Sequence, residues 1–456
     1  MPKFFVLIFI FSFGSLIGQN NDFETQKIID SIKVKNTGDT FALYLPTEFN
    51  KLESSAIVFI FEPAARGKVG IQPFIEAAEK HNYILICSNN CRNGPFDENL
   101  KRIDDLFVTV FGIFNINQDQ IYTAGFSGGS RLATAVAVLT KQIQGIIGCG
   151  AGFPSNRSRV PTIDTFSYAG LVGDEDMNYQ EMFTVKDWYS KFNIDNELFT
   201  YSGNHSWPPS NQILKAFDWL ELQAYKKGIK STDNLFVKEA FDSNYISAKL
   251  LENNNQIELA VWEYERIIRN YSRHFKLDSL VLKTKTLKKS KKYKSDTKKR
   301  EAIKRLEIKI RNTFKSKFDF EFGNTKSNYR WWKKEFDNFR NKYLLSEDDD
   351  LKKMGERINY AIFALAYETG QNQLRINNIE KALYCHKLNT VLFPDRSFVF
   401  LRLALDYALL DNEEEVLVNL KKAIDKGFNN KDYILNAPEL SKYIGKEAFK
   451  KVLDSI

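Results

Sequence analysis

The chain has 456 residues, which is long for one domain and enough for two. Hydrophobic residues make up 43% of it and aromatic residues 14%, so the composition excludes an intrinsically disordered protein. The net charge is +8, but the lysine-rich segment 283–300 supplies the excess almost alone. We interpret that segment as a solvated helix face or loop, and we predict no nucleic-acid partner.

The N-terminus has the pattern of an export signal. Residues 1–18 read MPKFFVLIFIFSFGSLIG, in which Lys3 precedes an apolar run and small residues lie near Gly18. This pattern is typical of a secretory signal peptide cleaved after Gly18. The run is short for a membrane-spanning helix. We therefore predict an exported protein, periplasmic or extracellular, with no stable membrane anchor after signal cleavage.

The cysteines indicate neither a disulfide framework nor a metal site. There are four, Cys87, Cys91, Cys149 and Cys385, which is few for a chain of this length. Cys87 and Cys91 could pair if the loop between them turns back, and this pairing stays open. None has metal-ligand spacing with a histidine, so we predict no metal and no cofactor.

Residues 19–227 carry strand patterns that alternate with helix patterns. Two strand-like segments on either side of the turn NTGD, residues 36–39, indicate an antiparallel pair. Buried strands then follow one another and are separated by helices. The first two of these helices are expected at about 69–81 and 99–114. The predicted fold class is α/β, with a doubly wound, mostly parallel sheet covered by helices on both faces.

One stretch, residues 121–139, has the form of a nucleophile-bearing turn. It reads as a short strand, the turn Gly125-Phe126-Ser127-Gly128-Gly129, and a helix that begins at about residue 130. A serine on so sharp a strand-to-helix turn has strained backbone angles, which small neighbouring residues permit. The pattern predicts a reactive hydroxyl on Ser127; the alternative is a serine that only caps the helix.

Residues 23–225 resemble the α/β-hydrolase family, and within it the compact polyhydroxybutyrate depolymerase-like and feruloyl esterase-like esterases. The motifs that carry the resemblance are GFSGGS, VGDED and GNHSWPP. It implies a catalytic triad in the order nucleophile, acid, histidine, here Ser127, Asp176 and His205. The family commonly places the acid three residues beyond a strand-ending glycine, which is Gly173 in this chain, and Asp174 is the alternative acid.

The resemblance also implies an oxyanion hole of two backbone N–H groups. One is that of Gly128, directly after the nucleophile, and the other comes from the loop after the strand that ends at Phe61. That loop commonly begins His-Gly in the family but reads Glu-Pro-Ala-Ala here. Because Pro63 has no N–H group, the second donor is expected to be Ala64 or Ala65.

Three further residues are candidates for substrate contact. Arg66 could bind an acidic group of the substrate, although a surface arginine is the alternative. Phe126 adjoins the nucleophile, and Trp207 follows the predicted catalytic histidine and could equally anchor its loop by packing.

Residues 228–456 carry no strand signal and predict an all-α domain. Small and large apolar residues recur at tetratricopeptide-repeat spacing, so the segment resembles divergent tetratricopeptide repeats. A long lysine-rich helical insertion is expected at about 275–345. Such repeats commonly present a groove to a peptide or protein. The alternative is that the helical half only stabilises the first domain. The positions that carry the pattern are Ala248, Leu251, Ala260, Tyr264, Ile267, Ala404, Tyr407, Val416, Leu420 and Ala423.

These patterns predict an exported serine hydrolase that cleaves a small-molecule carboxylic ester through an acyl-enzyme on Ser127. A peptidase of the same fold is an alternative within the class. The alternative outside it is a non-catalytic binding or scaffold protein that acts through its helical repeats.

Overall fold

A computed structural model describes residues 23–324, 327–454 and 456. The predicted signal peptide, residues 1–18, lies outside the described residues. Within them, no helix is both long and apolar enough to cross a membrane. The chain divides into two compact units, one ending at Lys299 and the other running from Arg300 to Ile456.

The first unit is built on one eight-stranded sheet with the strand order β1-β2-β4-β3-β5-β6-β7-β8. β2 pairs antiparallel with β1, as the turn NTGD predicted, and also with β4, and the pairs from β4 through β8 are parallel. The strands are β1 (Ile28–Lys33), β2 (Thr40–Tyr44), β3 (Ser55–Phe61), β4 (Tyr83–Ser88), β5 (Ile116–Phe126), β6 (Gly145–Cys149), β7 (Ser167–Gly173) and β8 (Asn196–Tyr201).

Six helices cover the two faces of this sheet. All seven residues of β3 are buried, and residues 56–61 alternate between the two hydrophobic cores, so each face of the strand has its own helical layer. One core contains residues of α3, α4 and α5, and the other contains residues of α1, α2 and α6. The helices are α1 (Gly67–Ile71), α2 (Ile75–His81), α3 (Phe96–Ile113), α4 (Gly128–Thr140), α5 (Tyr179–Lys191) and α6 (Ser210–Lys226).

This arrangement is the α/β-hydrolase fold, which confirms the predicted fold class. The strand order reverses direction at β3, whose neighbours are β4 on one side and β5 on the other. Ligands of such sheets bind at the carboxyl ends of the strands beside this reversal. The loops after β3, β4 and β5 therefore meet at the edge where a site is expected.

The predicted helix at 69–81 is interrupted. A short 3-10 turn, Gln72–Phe74, separates α1 from α2. Pro73 has no N–H group to continue the α-helical hydrogen bonds, so the regular α-helix is broken at this point.

Three more helices belong to the first unit, so its boundary differs from the predicted one at 227/228. They are α7 (Asn234–Asn253), α8 (Ile257–Tyr271) and α9 (Asp278–Lys289). In α8, Arg266 donates to the carbonyl oxygen of Leu198 at 2.7 Å, and Arg269 pairs with the buried Glu197 carboxylate at 2.9 Å, both in β8. Burial acts to raise the pKa of Glu197, but the surrounding cations outweigh it and hold that pKa below its ordinary value. These ionic contacts join α8 to the sheet.

The second unit is helical. α10 begins before the unit boundary, and a π-helical turn, Arg340–Leu344, follows α11. The aromatic stripe of α11 is core, since Trp332, Phe336 and Phe339 are buried in one hydrophobic cluster. The helices are α10 (Lys291–Asn324), α11 (Tyr329–Phe339), α12 (Asp349–Arg375), α13 (Ile379–Leu392), α14 (Ser397–Leu409), α15 (Glu413–Asp425), α16 (Lys431–Leu435) and α17 (Glu447–Leu453).

Consecutive helices of this unit pack as pairs, α12 on α13 and α14 on α15. The small residues Ala382, Ala404 and Ala423 of these helices are fully buried. The likeness to tetratricopeptide repeats, and the peptide or protein partner that it implies, stay predictions.

All four cysteines are buried free thiols, so the structure shows no Cys87–Cys91 disulfide. Burial raises the pKa of the Cys91 thiol to about 11 and holds that of Cys87 well above its ordinary value. Since the thiolate is the reactive form, neither side chain is a nucleophile near neutral pH.

We expect the native protein at about pH 8 to react negligibly with dithionitrobenzoate over minutes, because its thiols are both buried and protonated. After unfolding in guanidinium without reductant, all four thiols per chain should react. Two reactive thiols per unfolded chain would instead indicate that the purified protein contains one disulfide.

Candidate active site

The turn after β5 holds Ser127 in a strained conformation. Its φ is +53° and its ψ is −119°, a combination that residues with a side chain rarely adopt, and α4 begins at the next residue. The turn is tight enough that a Cβ atom on Gly125 would lie 2.3 Å from the backbone of Gly129, and one on Gly129 would lie 1.9 Å from the Phe61 carbonyl oxygen. The Ser127 N–H donates to the Cys149 carbonyl oxygen at 2.8 Å, which ties the turn to β6. The sequence-predicted nucleophile turn is therefore present as a strand–turn–helix.

His205 lies beside this serine. Its Nε2 is 3.0 Å from Ser127 Oγ, although the two residues are 78 positions apart in the chain. The His205 side chain is only 5% exposed, and its ring packs against that of Phe126 with 4.7 Å between centroids. Trp207 also packs against Phe126, at 5.4 Å, and against Phe74, at 5.6 Å. Aromatic packing thus fixes the imidazole plane within reach of the hydroxyl.

The carboxylate behind the histidine is that of Asp176. Both of its oxygens are 2.9 Å from His205 Nδ1, and its side chain is fully buried. The backbone N–H of Asn178 donates to Asp176 Oδ1 at 2.7 Å, and the N–H of Asp176 closes a turn onto the Gly173 carbonyl oxygen at 3.1 Å. A carboxylate bonded to Nδ1 keeps a proton on that nitrogen and leaves Nε2 able to accept one.

Asp174, the alternative acid, bonds to the backbone of residues 201 and 203. Its Oδ1 accepts from the Gly203 N–H at 3.1 Å, and its own N–H donates to the Tyr201 carbonyl oxygen at 2.8 Å. The N–H of Glu175 donates to the Gly203 carbonyl oxygen at 2.9 Å. Asp174 therefore joins the acid loop to the histidine loop, and it is Asp176 that contacts His205.

The two N–H groups expected as second oxyanion donors are both engaged in hydrogen bonds within their own loop. The Ala64 N–H donates to Glu62 Oε2 at 2.7 Å, and the Ala65 N–H donates to the Glu62 carbonyl oxygen at 3.0 Å. Ala65 also has a φ of +61°. The carboxylate of Glu62 is buried at the end of β3, so it draws the backbone of its own loop around itself. Gly128, the other predicted donor, is the first residue of α4, which begins two residues before the predicted start.

Each of the three candidates for substrate contact also contacts other side chains of the protein. Arg66 pairs with Glu62 through its guanidinium, and this hydrogen bond raises the pKa of Arg66. Phe126 and Trp207 are part of the aromatic packing around His205. A packing role is thus shown for Trp207, whereas contacts of these side chains with a substrate stay predictions.

Two polar residues near the site were not identified from the sequence. Asn178 holds Asp176 through its backbone and donates from Nδ2 to the Gly150 carbonyl oxygen at 2.7 Å. Asn93 lies against Gly128, since a Cβ atom on that glycine would be 1.8 Å from Asn93 Oδ1. The signal available for Asn93 was its place in the loop after β4, at the same sheet edge as the nucleophile.

Comparison with known proteins finds likeness in structure only. No protein-family model matches the chain, and no curated protein does. An S-formylglutathione hydrolase from Staphylococcus aureus shares 14% identity over 43% of this chain and 98% of its own, with a TM-score of 0.35. The esterase Est1E from Butyrivibrio proteoclasticus shares 12% over 43% and 100%, with a TM-score of 0.35. A ferulic acid esterase shares 14% over 42% and 94%, with a TM-score of 0.34.

Proposed function

We propose that the protein is an exported serine hydrolase that cleaves a small-molecule carboxylic ester through an acyl-enzyme on Ser127. The observation that carries the proposal is the hydrogen-bonded series from Ser127 Oγ through His205 to Asp176, with contacts of 3.0 and 2.9 Å. A serine hydroxyl is a weak nucleophile unless an adjacent base accepts its proton. The buried Asp176 supplies the charge that stabilises the imidazolium formed when His205 does so. Export is inferred from the leader segment of the sequence alone.

Acylation follows from this geometry. Ser127 Oγ attacks the ester carbonyl carbon while its proton passes to His205 Nε2. The negative charge that develops on the carbonyl oxygen forms beside the N–H of Gly128, at the positive end of the α4 dipole. When the C–O bond to the alcohol breaks, His205 Nε2 gives its proton to the leaving oxygen, and the acyl group stays on Ser127.

Deacylation repeats these steps with water. His205 Nε2 accepts a proton from a water molecule whose oxygen attacks the acyl carbon. The bond to Ser127 Oγ then breaks, and Oγ recovers the proton from His205. The net reaction consumes one ester and one water and yields a carboxylic acid and an alcohol.

We propose an ester rather than an amide substrate because an ester needs less assistance to cleave. The carbonyl carbon of an ester is more electrophilic than that of an amide, because the ester oxygen donates its lone pair into the carbonyl group less than an amide nitrogen does. Both alanine amides of the loop after β3 donate to Glu62, so Gly128 is the sole backbone oxyanion donor among those predicted. A site with modest stabilisation of the oxyanion suits the more reactive substrate.

The proposal is tested by labelling with a fluorophosphonate, which forms a bond from Ser127 Oγ to phosphorus as fluoride leaves. We expect the intact protein to be labelled at one site per chain and Ser127→Ala to remain unlabelled. Ser206→Ala, an exposed serine on the histidine loop, is the matched control and should label like the wild type. A panel of short-chain, aromatic and sugar-acetate esters, together with amides, then identifies the substrate class.

The engaged amides of Ala64 and Ala65 also favour, as a second candidate, a scaffold protein that retains the fold without turnover. Under that hypothesis neither the wild type nor Ser127→Ala would be labelled, and none of the esters would be cleaved. The same labelling experiment therefore decides between the two functions.

A further inference from the structure

An oxyanion hole commonly has two donors, and in the first unit only one of the predicted backbone donors is placed for the role. The N–H groups of Ala64 and Ala65 already donate to Glu62, at 2.7 and 3.0 Å. A lone backbone donor leaves a large part of the developing charge unstabilised, since each donor of such a site contributes substantially. A second donor is therefore to be sought among the side chains around Gly128.

The loop after β4 is held beside the loop after β3. The Asn93 N–H donates to the Pro63 carbonyl oxygen at 2.8 Å, and Arg92 forms a β-bridge with Ala64. From the other side, Asn99 Nδ2 donates to the Arg92 carbonyl oxygen at 2.8 Å. Because these bonds hold Arg92 and the backbone N–H group of Asn93, the Asn93 side chain starts from a defined position.

That side chain lies over the residue after the nucleophile. A Cβ atom on Gly128 would be 1.8 Å from Asn93 Oδ1 and 3.3 Å from its Nδ2, so the carboxamide occupies the space that a side chain at position 128 would need. The residue is also exposed, which leaves its amide within reach of a substrate. A carboxamide thus lies next to the first oxyanion donor, and the glycine at position 128 is what admits it.

We propose, on the basis of the serine hydrolase function above, that the Asn93 side-chain amide is the second donor of the oxyanion hole. A carboxamide carries a carbonyl oxygen and an NH2 group on one carbon, and a half-turn about its terminal C–C bond exchanges them. With an ester bound, the NH2 group faces the substrate carbonyl oxygen and donates to it as charge develops. The Gly128 N–H donates to the same oxygen from the start of α4.

The expected effect is on turnover. Removing one side-chain donor from an oxyanion hole costs about 100- to 1000-fold in kcat, because the bond is strongest in the transition state. We therefore expect Asn93→Ala to lower kcat by about that factor with a small change in KM. Asn93→Asp should lower it further, since a carboxylate cannot donate and repels the oxyanion.

The experiment compares these variants with Arg92→Ala, an exposed neighbour in the same loop that should keep wild-type kcat. A trifluoromethyl ketone, whose adduct with serine carries an oxyanion, should bind Asn93→Ala more weakly by about the factor lost in kcat/KM. Replacing a residue that only stabilises the fold would not weaken ketone binding by the same factor as it lowers kcat/KM. Unchanged melting temperatures establish that the variants fold.

The proposal is overturned if Asn93→Ala keeps kcat within about threefold of wild type, or if only KM changes. It is also overturned if ketone affinity is unaffected. Failure of the proposed function looks different, because the wild type itself would then show neither fluorophosphonate labelling nor ester cleavage.

Discussion

Replacing His205 with alanine is expected to lower kcat for the best ester substrate by about a millionfold. The imidazole Nε2, 3.0 Å from Ser127 Oγ, is the nearest base placed to accept the hydroxyl proton. Without it, attack requires loss of that proton to water, and the leaving alcohol must depart unprotonated. Fluorophosphonate labelling should be lost as well, because phosphonylation depends on the same activation.

His274→Ala is the control for His205→Ala, since His274 is an exposed histidine of the first unit. It should retain wild-type kcat and labelling. Retention of activity within tenfold of wild type by His205→Ala would show that another group serves as the base, and the mechanism would have to be abandoned.

Asp176→Asn is expected to lower kcat by about ten thousandfold while leaving the fold intact. The backbone N–H of Asn178 donates to Oδ1 at 2.7 Å, so the amide oxygen of the new asparagine should stay there. Its NH2 group then faces His205 Nδ1 and makes that nitrogen an acceptor. The imidazole proton moves to Nε2, which can no longer accept the proton of Ser127.

The control is Asp174→Asn, the neighbouring acid that accepts from the Gly203 N–H. An amide oxygen can still accept that bond, so we expect kcat within about tenfold of wild type. A larger loss in Asp174→Asn than in Asp176→Asn would contradict the assignment of the acid. The measurement is steady-state kinetics, with circular dichroism to establish that both variants fold.

Local sequence rules predicted the groups that carry the proposed chemistry. Glycines around Ser127 are required by the turn itself, because side chains at positions 125 and 129 would collide with backbone. The family resemblance predicted an acid three residues beyond Gly173, and the structure has a short turn there, in which the Asp176 N–H donates to the Gly173 carbonyl oxygen. Both features depend on a few adjacent residues, which is the range over which sequence patterns are informative.

Two features that the sequence did not predict depend on a loop conformation and on a long-range contact. The N–H groups of Ala64 and Ala65 are engaged within their own loop, the first by the Glu62 carboxylate and the second by the Glu62 carbonyl oxygen, and composition does not reveal such a loop conformation. The unit boundary lies beyond α8 because Arg266 bonds to β8, 68 positions earlier in the chain. A composition change at residue 228 marks the end of the strands, whereas the compact unit ends where such long-range contacts end.

The bonds that join the acid loop to the histidine loop have a consequence for how the protein uses substrate binding. Three backbone-anchored links connect residues 174 and 175 to residues 201 and 203, so the proton acceptor and its orienting carboxylate form one rigid body. Their mutual alignment is complete when the chain folds, before any ligand arrives. Binding energy is then available to strip water from the ester and bend its carbonyl group toward tetrahedral geometry.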